Sequence, residues 1–205
     1  MRAFVIAMPC EAETVRPFLR ASDRLFVCGI GKVNAAAATM KAICAGADEI
    51  WNVGLCGGFG SDIEVGDIYG VSSAVEYDFD LAKLNGTRIG VLDEYDTPYL
   101  ELTPLSTRVA DLASRPWYCG TRILATGDHF NDSEADYGLI TQDLGASLRD
   151  MEGAAIAHVC KRENVVCVSI KCVTNVAGKG LMTGQYEQNK RLCLERLTQA
   201  MKGIL

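Results

Sequence analysis

The chain has 205 residues, 49% of them hydrophobic, with 5 prolines and no low-complexity tract, which is enough apolar material for one buried core and makes a single domain over 1–205 the default. Its 20 basic and 26 acidic residues give a net charge of -6, which opposes binding to nucleic acid or to an anionic membrane surface and favours a small-molecule partner. No apolar run approaches the ~20 residues of a membrane span, and the run at 3–8 is too short for a signal sequence, so a cytoplasmic location is expected. The 9 cysteines are odd in number and lie inside apolar stretches such as Val165-Val166-Cys167-Val168, as buried free thiols do. There is no C-x-x-C pair, and the 2 histidines are His129 and His158, so neither a metal nor another cofactor is expected.

In chain order, β-rich apolar runs alternate with segments of helical period, the pattern of a layered α/β domain. Strands are predicted at 3–8, 24–28, 49–55, 67–75, 121–125 and 165–173. Their apolar runs lack a polar alternate face, as in strands covered on both sides by helices. Helices are predicted at 11–20, 32–45, 106–114, 134–143, 151–162 and 186–202. The last carries Tyr186, Leu192, Leu194, Leu197 and Met201 near helical spacing, a stripe that packs on the sheet. The stretch 75–105 has no sustained period and reads as strand, turn at Asn85-Gly86, then a long loop whose Tyr77, Tyr95 and Tyr99 suit a lid or a subunit contact.

Four strand-to-loop junctions stand out, and open α/β sheets collect ligands at the carboxyl ends of their strands. At the first, Met8-Pro9-Cys10-Glu11-Ala12-Glu13, Glu11 is either a functional carboxylate or a partner of the helix dipole. At the second, Gly29-Ile30-Gly31-Lys32-Val33-Asn34 either cradles an anion on backbone N–H groups or packs tightly. The third crowds glycines after a buried strand, Asn52-Val53-Gly54-Leu55-Cys56-Gly57-Gly58. The fourth joins Asp150-Met151-Glu152-Gly153 to Lys171-Cys172-Val173-Thr174-Asn175. Residue types alone stop at an enzyme with carboxylates and an undetermined substrate.

In that order these stretches, with Val65-Gly66-Asp67-Ile68 and Gly127-Asp128-His129-Phe130, resemble the methylthioadenosine/S-adenosylhomocysteine nucleosidases and their nucleoside phosphorylase relatives. The resemblance spans Met1 to about Gly178. It implies one α/β domain with a central twisted mixed sheet flanked by helices, cleavage of a purine nucleoside at its N-glycosidic bond, and a homodimer whose partner covers the site. It makes Glu11 the residue that positions the attacking water, with Glu13 its competitor, Glu152 the ribose ligand, Met151 a wall against the sugar, and Phe130 the aromatic stacked on the purine. His129 becomes a contact to the base or the 5′ substituent, against the alternative of a solvated loop histidine, while His158 is structural.

The chain departs from the family pattern at three places. Asn175 replaces the aspartate that protonates N7 of adenine; an amide is no general acid but can bridge N7 and O6, which points to a 6-oxopurine nucleoside such as inosine or futalosine. Asn52 and Leu55 stand where phosphorylases hold phosphate, and neither neutralises a dianion, which points to water as nucleophile. Lys171 replaces an arginine and either orders Glu11 and the water or forms a structural ion pair. The leading expectation is therefore a nucleosidase. A purine nucleoside phosphorylase and a nucleoside-binding protein that lost its acid are the alternatives.

Overall fold

The apolar runs carry large side chains at consecutive positions, so each needs cover on two faces. In the computed structural model, which describes residues 1–130 and 134–205, they form an 8-stranded sheet: β1 (Arg2–Ile6), β2 (Arg24–Val27), β3 (Glu49–Gly58), β4 (Ile68–Glu76), β5 (Leu100–Glu101), β6 (Tyr118–Thr126), β7 (Leu148–Asp150) and β8 (Val166–Val176). Around them lie α1 (Pro9–Ala12), α2 (Lys32–Cys44), α3 (Ala82–Asn85), α4 (Glu134–Gly138), α5 (Gly153–Arg162) and α6 (Met182–Ile204). Strand alternation divides the core. Ala3 and Val5 join Ala35, Ile50 and Ile156 on the side of α2 and α5, while Phe4 and Ile6 join Trp51, Val53, Leu197 and Met201 on the side of α6.

The sheet closes on itself. β3 runs parallel to β8, β8 antiparallel to β4, β4 parallel to β6, β6 parallel to β7, and β7 returns antiparallel to β3. β1 and β2 extend it from the first half of β3. The second edge of β3 is therefore shared: β1 covers Glu49, Ile50 and Trp51, and β7 covers Gly57 and Gly58. Between these two neighbours the strand edge forks.

Several predicted elements change shape. The helix expected at 11–20 is α1 followed by a 3-10 turn, Arg16–Phe18, because Pro17 supplies no N–H to continue a helix. The helix expected at 106–114 is two 3-10 turns, Leu105–Thr107 and Leu112–Ser114, the second entered through Asp111 at φ 52. The turn expected at Asn85-Gly86 is the C-terminal cap of α3, with Gly86 in the left-handed conformation. α6 starts earlier than expected and buries Met182, Cys193, Leu197, Ala200 and Met201; Leu192 of the predicted stripe is 44% exposed. Five cysteines are buried, Cys10 and Cys28 are half-buried, Cys44 and Cys119 are exposed, and all are free thiols.

Candidate active site

A cavity of about 420 Å³ opens at the carboxyl ends of β1, β3, β7 and β8, where loops leave the sheet and backbone groups lose ladder partners. Its first functional side chain sits at the fork in β3. Leu55 lies past the last rung with β1 and before the first with β7, so its N–H has no strand to bond on that edge. Glu11, at the third position of α1, fills that role: Oε1 accepts the Leu55 N–H at 2.7 Å and Oε2 accepts the Met8 N–H at 3.0 Å. Glycine at 54 permits this, since a Cβ there would lie 2.7 Å from Glu11 Oε1. Burial raises the Glu11 pKa against the lowering effect of the Leu55 N–H and the Lys171 charge.

β7 and β8 bring the charged groups together. Lys171 Nζ is 2.8 Å from Asp150 Oδ2, both side chains almost wholly enclosed. Asp150 also accepts the Thr126 hydroxyl at 2.6 Å and the Gly153 N–H at 2.9 and 3.1 Å. Burial pulls the Lys171 pKa down, but Asp150, Glu152 and Glu11 outweigh it and leave the ammonium more basic than usual. Glu152, which precedes α5, reaches across to the start of α2, where its Oε1 accepts the Gly31 N–H at 2.9 Å. Burial and the Asp150 charge push its carboxyl up to about 7.

Another wall of the cavity is shaped by a bulge in β8. Cys56 pairs with Val173 and Gly57 with Asn175, leaving Thr174 as an extra residue that re-aims its neighbour. The Thr174 hydroxyl lies 2.7 Å from Asn175 Oδ1 and 3.1 Å from the Cys56 carbonyl. With Oδ1 engaged there, Asn175 Nδ2 faces Gly57, where a Cβ would come within 2.9 Å of it. Phe130 closes the mouth, its ring 5.8 Å from that of Tyr186 on α6, and the Tyr186 hydroxyl meets Met8 Sδ at 3.6 Å. The Phe130 loop is held by a ring of bonds: Lys32 N–H to Asp128 Oδ1 at 2.9 Å, Asp128 N–H to Asp78 Oδ2 at 3.0 Å, and Lys32 Nζ to Asp78 Oδ1 at 2.5 Å. Among the described residues no group of three His, Cys, Asp or Glu side chains is arranged to hold a metal ion.

The family model described as the phosphorylase superfamily matches residues 24–205. The chain belongs to the phosphorylase superfamily. It is 32% identical to the 5′-methylthioadenosine/S-adenosylhomocysteine nucleosidase of Anoxybacillus flavithermus, over 86% of this chain and 78% of that protein. It is 29% identical to the aminodeoxyfutalosine nucleosidase of Campylobacter jejuni, over 73% of this chain and 66% of that one. The futalosine hydrolase of Helicobacter pylori has the same fold, with a TM-score of 0.89 at 18% identity, covering 99% of this chain and 96% of that one. The α/β fold expected from the sequence, a single mixed sheet flanked by helices, is the fold of this superfamily member.

Of the residues expected at the site, Glu11, Leu55, Phe130, Met151, Glu152 and Asn175 all line the same cavity. Lys171 sits behind it in the ion pair with Asp150, so of its two expected roles the paired one is formed. His129 does not line the cavity; its ring packs 6.4 Å from Tyr77. Glu13 is turned outward to Arg16. Asn52 is not at the cavity either, because its amide donates to the Val5 carbonyl and its Oδ1 accepts from Ser169 in the core. His158 bonds Glu94 at 3.0 Å and lies 3.4 Å from Glu76. Tyr186, expected in the stripe that packs on the sheet, and Thr174, visible only as a member of the fourth junction, both line the cavity, while Asp78 lies in a loop stretch whose sequence carries no period. Asp150 was visible only as an acid before Met151.

No described helix is long and apolar enough to cross a membrane.

Proposed function

We propose that this superfamily member hydrolyses the N-glycosidic bond of a purine nucleoside, with a 6-oxopurine as the base it releases. The printed activities of its relatives, nucleosidases of 5′-methylthioadenosine, S-adenosylhomocysteine and aminodeoxyfutalosine, support the reaction class. The observation that carries the proposal is the presence, on one cavity, of the Glu11 carboxylate, suited to position water, and the Asn175 amide, suited to donate to the base. Cleavage of C1′–N9 leaves positive charge on the ribose and sends the bonding electrons to the base. Glu152, tied to Gly31, faces the sugar hydroxyls beside Met151, and Phe130 stacks on the purine. Each oxygen of Glu11 spends one lone pair on a backbone N–H and keeps another for water. Water adds to C1′ and gives its proton to Glu11, whose raised pKa suits a base. The base departs as its anion, held at N7 or O6 by Asn175 Nδ2, and takes its proton from solvent.

Water is favoured over phosphate because Leu55 gives that wall an apolar face and Lys171 is committed to Asp150. The molecule works as a homodimer. Along α2, Val33 (81% exposed), Ala37 and Met40 form an apolar stripe that continues to Ile30 at the cavity rim. The free thiols suit the cytoplasm.

Inosine, futalosine, methylthioadenosine and S-adenosylhomocysteine, each incubated with and without phosphate, test the reading by chromatography of the free base. Hypoxanthine released from inosine or futalosine without phosphate is the expected result, with Asn175→Asp moving the preference towards adenine nucleosides. Product formed only with phosphate makes the chain a phosphorylase; saturable binding without turnover makes it a binding protein. Either outcome overturns the proposal.

A further inference from the structure

Resting on the hydrolase reading, we infer that Asp150 is a positioning residue: by pinning the Lys171 ammonium behind the cavity, it sets the charge carried by Glu11 and Glu152. The geometry is specific. The Asp150 carboxylate is anchored from three directions, by the Thr126 hydroxyl, the Gly153 N–H and Lys171 Nζ. The Thr126 hydroxyl accepts the Ala154 N–H at 2.8 Å, so its own proton is directed to Asp150. An ammonium held this tightly cannot swing to form an ion pair with Glu11 or Glu152 when substrate enters.

Three buried carboxylates then share one buried ammonium, and with all of them ionised two negative charges would stay uncompensated. Such a cluster retains a proton into the neutral range, and the Glu11–Glu152 pair is where it resides. Burial raises both groups, Lys171 lowers both, and Asp150 raises both. β8 brings Lys171 and β7 brings Asp150. The segment after β2 brings the Gly31 N–H and Cys28, whose thiol is pushed up to about 11 by burial and by Glu152. β3 brings the Leu55 N–H and Cys56, its thiol driven far up by burial. α6 brings Tyr186 and Glu187 to the cavity wall. Arg149, also on the cavity lining, has its guanidinium over the Phe59 ring and against Met182 Sδ. Among the described residues, Lys171 is the cation that acts on both glutamates.

Two substitutions should move the acid limb of the kcat/KM profile in opposite directions. Asp150→Asn removes a like charge and should shift the limb down by about one pH unit, whereas Lys171→Met removes the opposite charge and should shift it up by about one. The double variant should return it near the wild-type position. Loss of packing alone would not produce opposite displacements. A second readout needs no turnover: carboxyl-carbon NMR titration of glutamate-labelled protein should show a Glu midpoint near 7 that moves in the same senses. The inference is overturned if both single variants shift the limb the same way, or if neither shifts limb or NMR midpoint. If the NMR midpoints move while the wild type cleaves no nucleoside, the charge assignment stands and the hydrolase reading falls. Base release with unmoved limbs and midpoints gives the reverse.

Discussion

A carboxyl group that binds its proton more tightly after folding makes the folded state more stable in acid than in base. Glu152 is such a group, ordinarily near 4.5 and here pushed up to about 7 by burial and Asp150. The stability this contributes is complete below the unfolded value and is lost as pH rises through about 7, a difference of about 3 kcal/mol. Glu152→Gln cannot titrate, so urea unfolding should show the variant gaining on the wild type by roughly that amount between pH 4.5 and 8. A constant difference would mean an unshifted Glu152. His158, raised by its hydrogen bond to Glu76 and by Glu94, titrates in both proteins and cancels from the comparison. Individual residues were legible where chemistry constrains type: Glu11, Glu152 and Asn175 stood in motif stretches, and all three reach the cavity. Lys171 was readable only as a choice between two roles, since its partner lies on the three-residue β7, too short to leave an apolar period.

At the scale of elements, strand edges and helix starts are what hold the site. Gly54→Ala should place a methyl group against Glu11 Oε1 and push the carboxylate off the Leu55 N–H, with Glu11 itself unchanged. If Glu11 is the base of the proposed hydrolysis, activity should fall by about 100-fold or more, as for a general base misplaced by an ångström, and single-turnover base release would measure it. Activity near the wild-type level would show that Glu11 does not need its strand contact. The Asp128, Asp78 and Lys32 ring is a separate device, joining the Phe130 loop to the α2 start that also holds Glu152. Asp78→Ala removes two of its charge-assisted bonds and should weaken free-base binding about tenfold in calorimetry. An unchanged affinity would make the ring dispensable. Apolar period located most strands and α2 within a few residues, but not the 3-10 turns at Pro17 and Asp111, which are decided by single backbone positions. It also missed β5 and β7, which depend on long-range pairing.

For the whole molecule, alternation of strands and helices made the α/β class readable, whereas closure of the sheet was not. Closure depends on two rungs between β7 and β3, at Gly57 and Gly58, and such a contact leaves no mark in local sequence. The exposed stripe on α2 belongs to the same scale. If it joins two copies, charges at Val33 and Met40 should convert a dimer into a monomer in sedimentation velocity, with KM rising because the cavity rim at Ile30 loses its cover. A wild-type monomer would sink the dimer proposal. The fork in β3 has an evolutionary consequence as well. The backbone donor at Leu55 is buried and has no strand partner on that edge, so the fold itself selects for an acceptor at position 11 whether or not a reaction is performed. A descendant that abandoned catalysis would still be under pressure to keep Glu11. Divergence of function among such chains should be sought first at Phe130 and Asn175, which the strand ladder does not need.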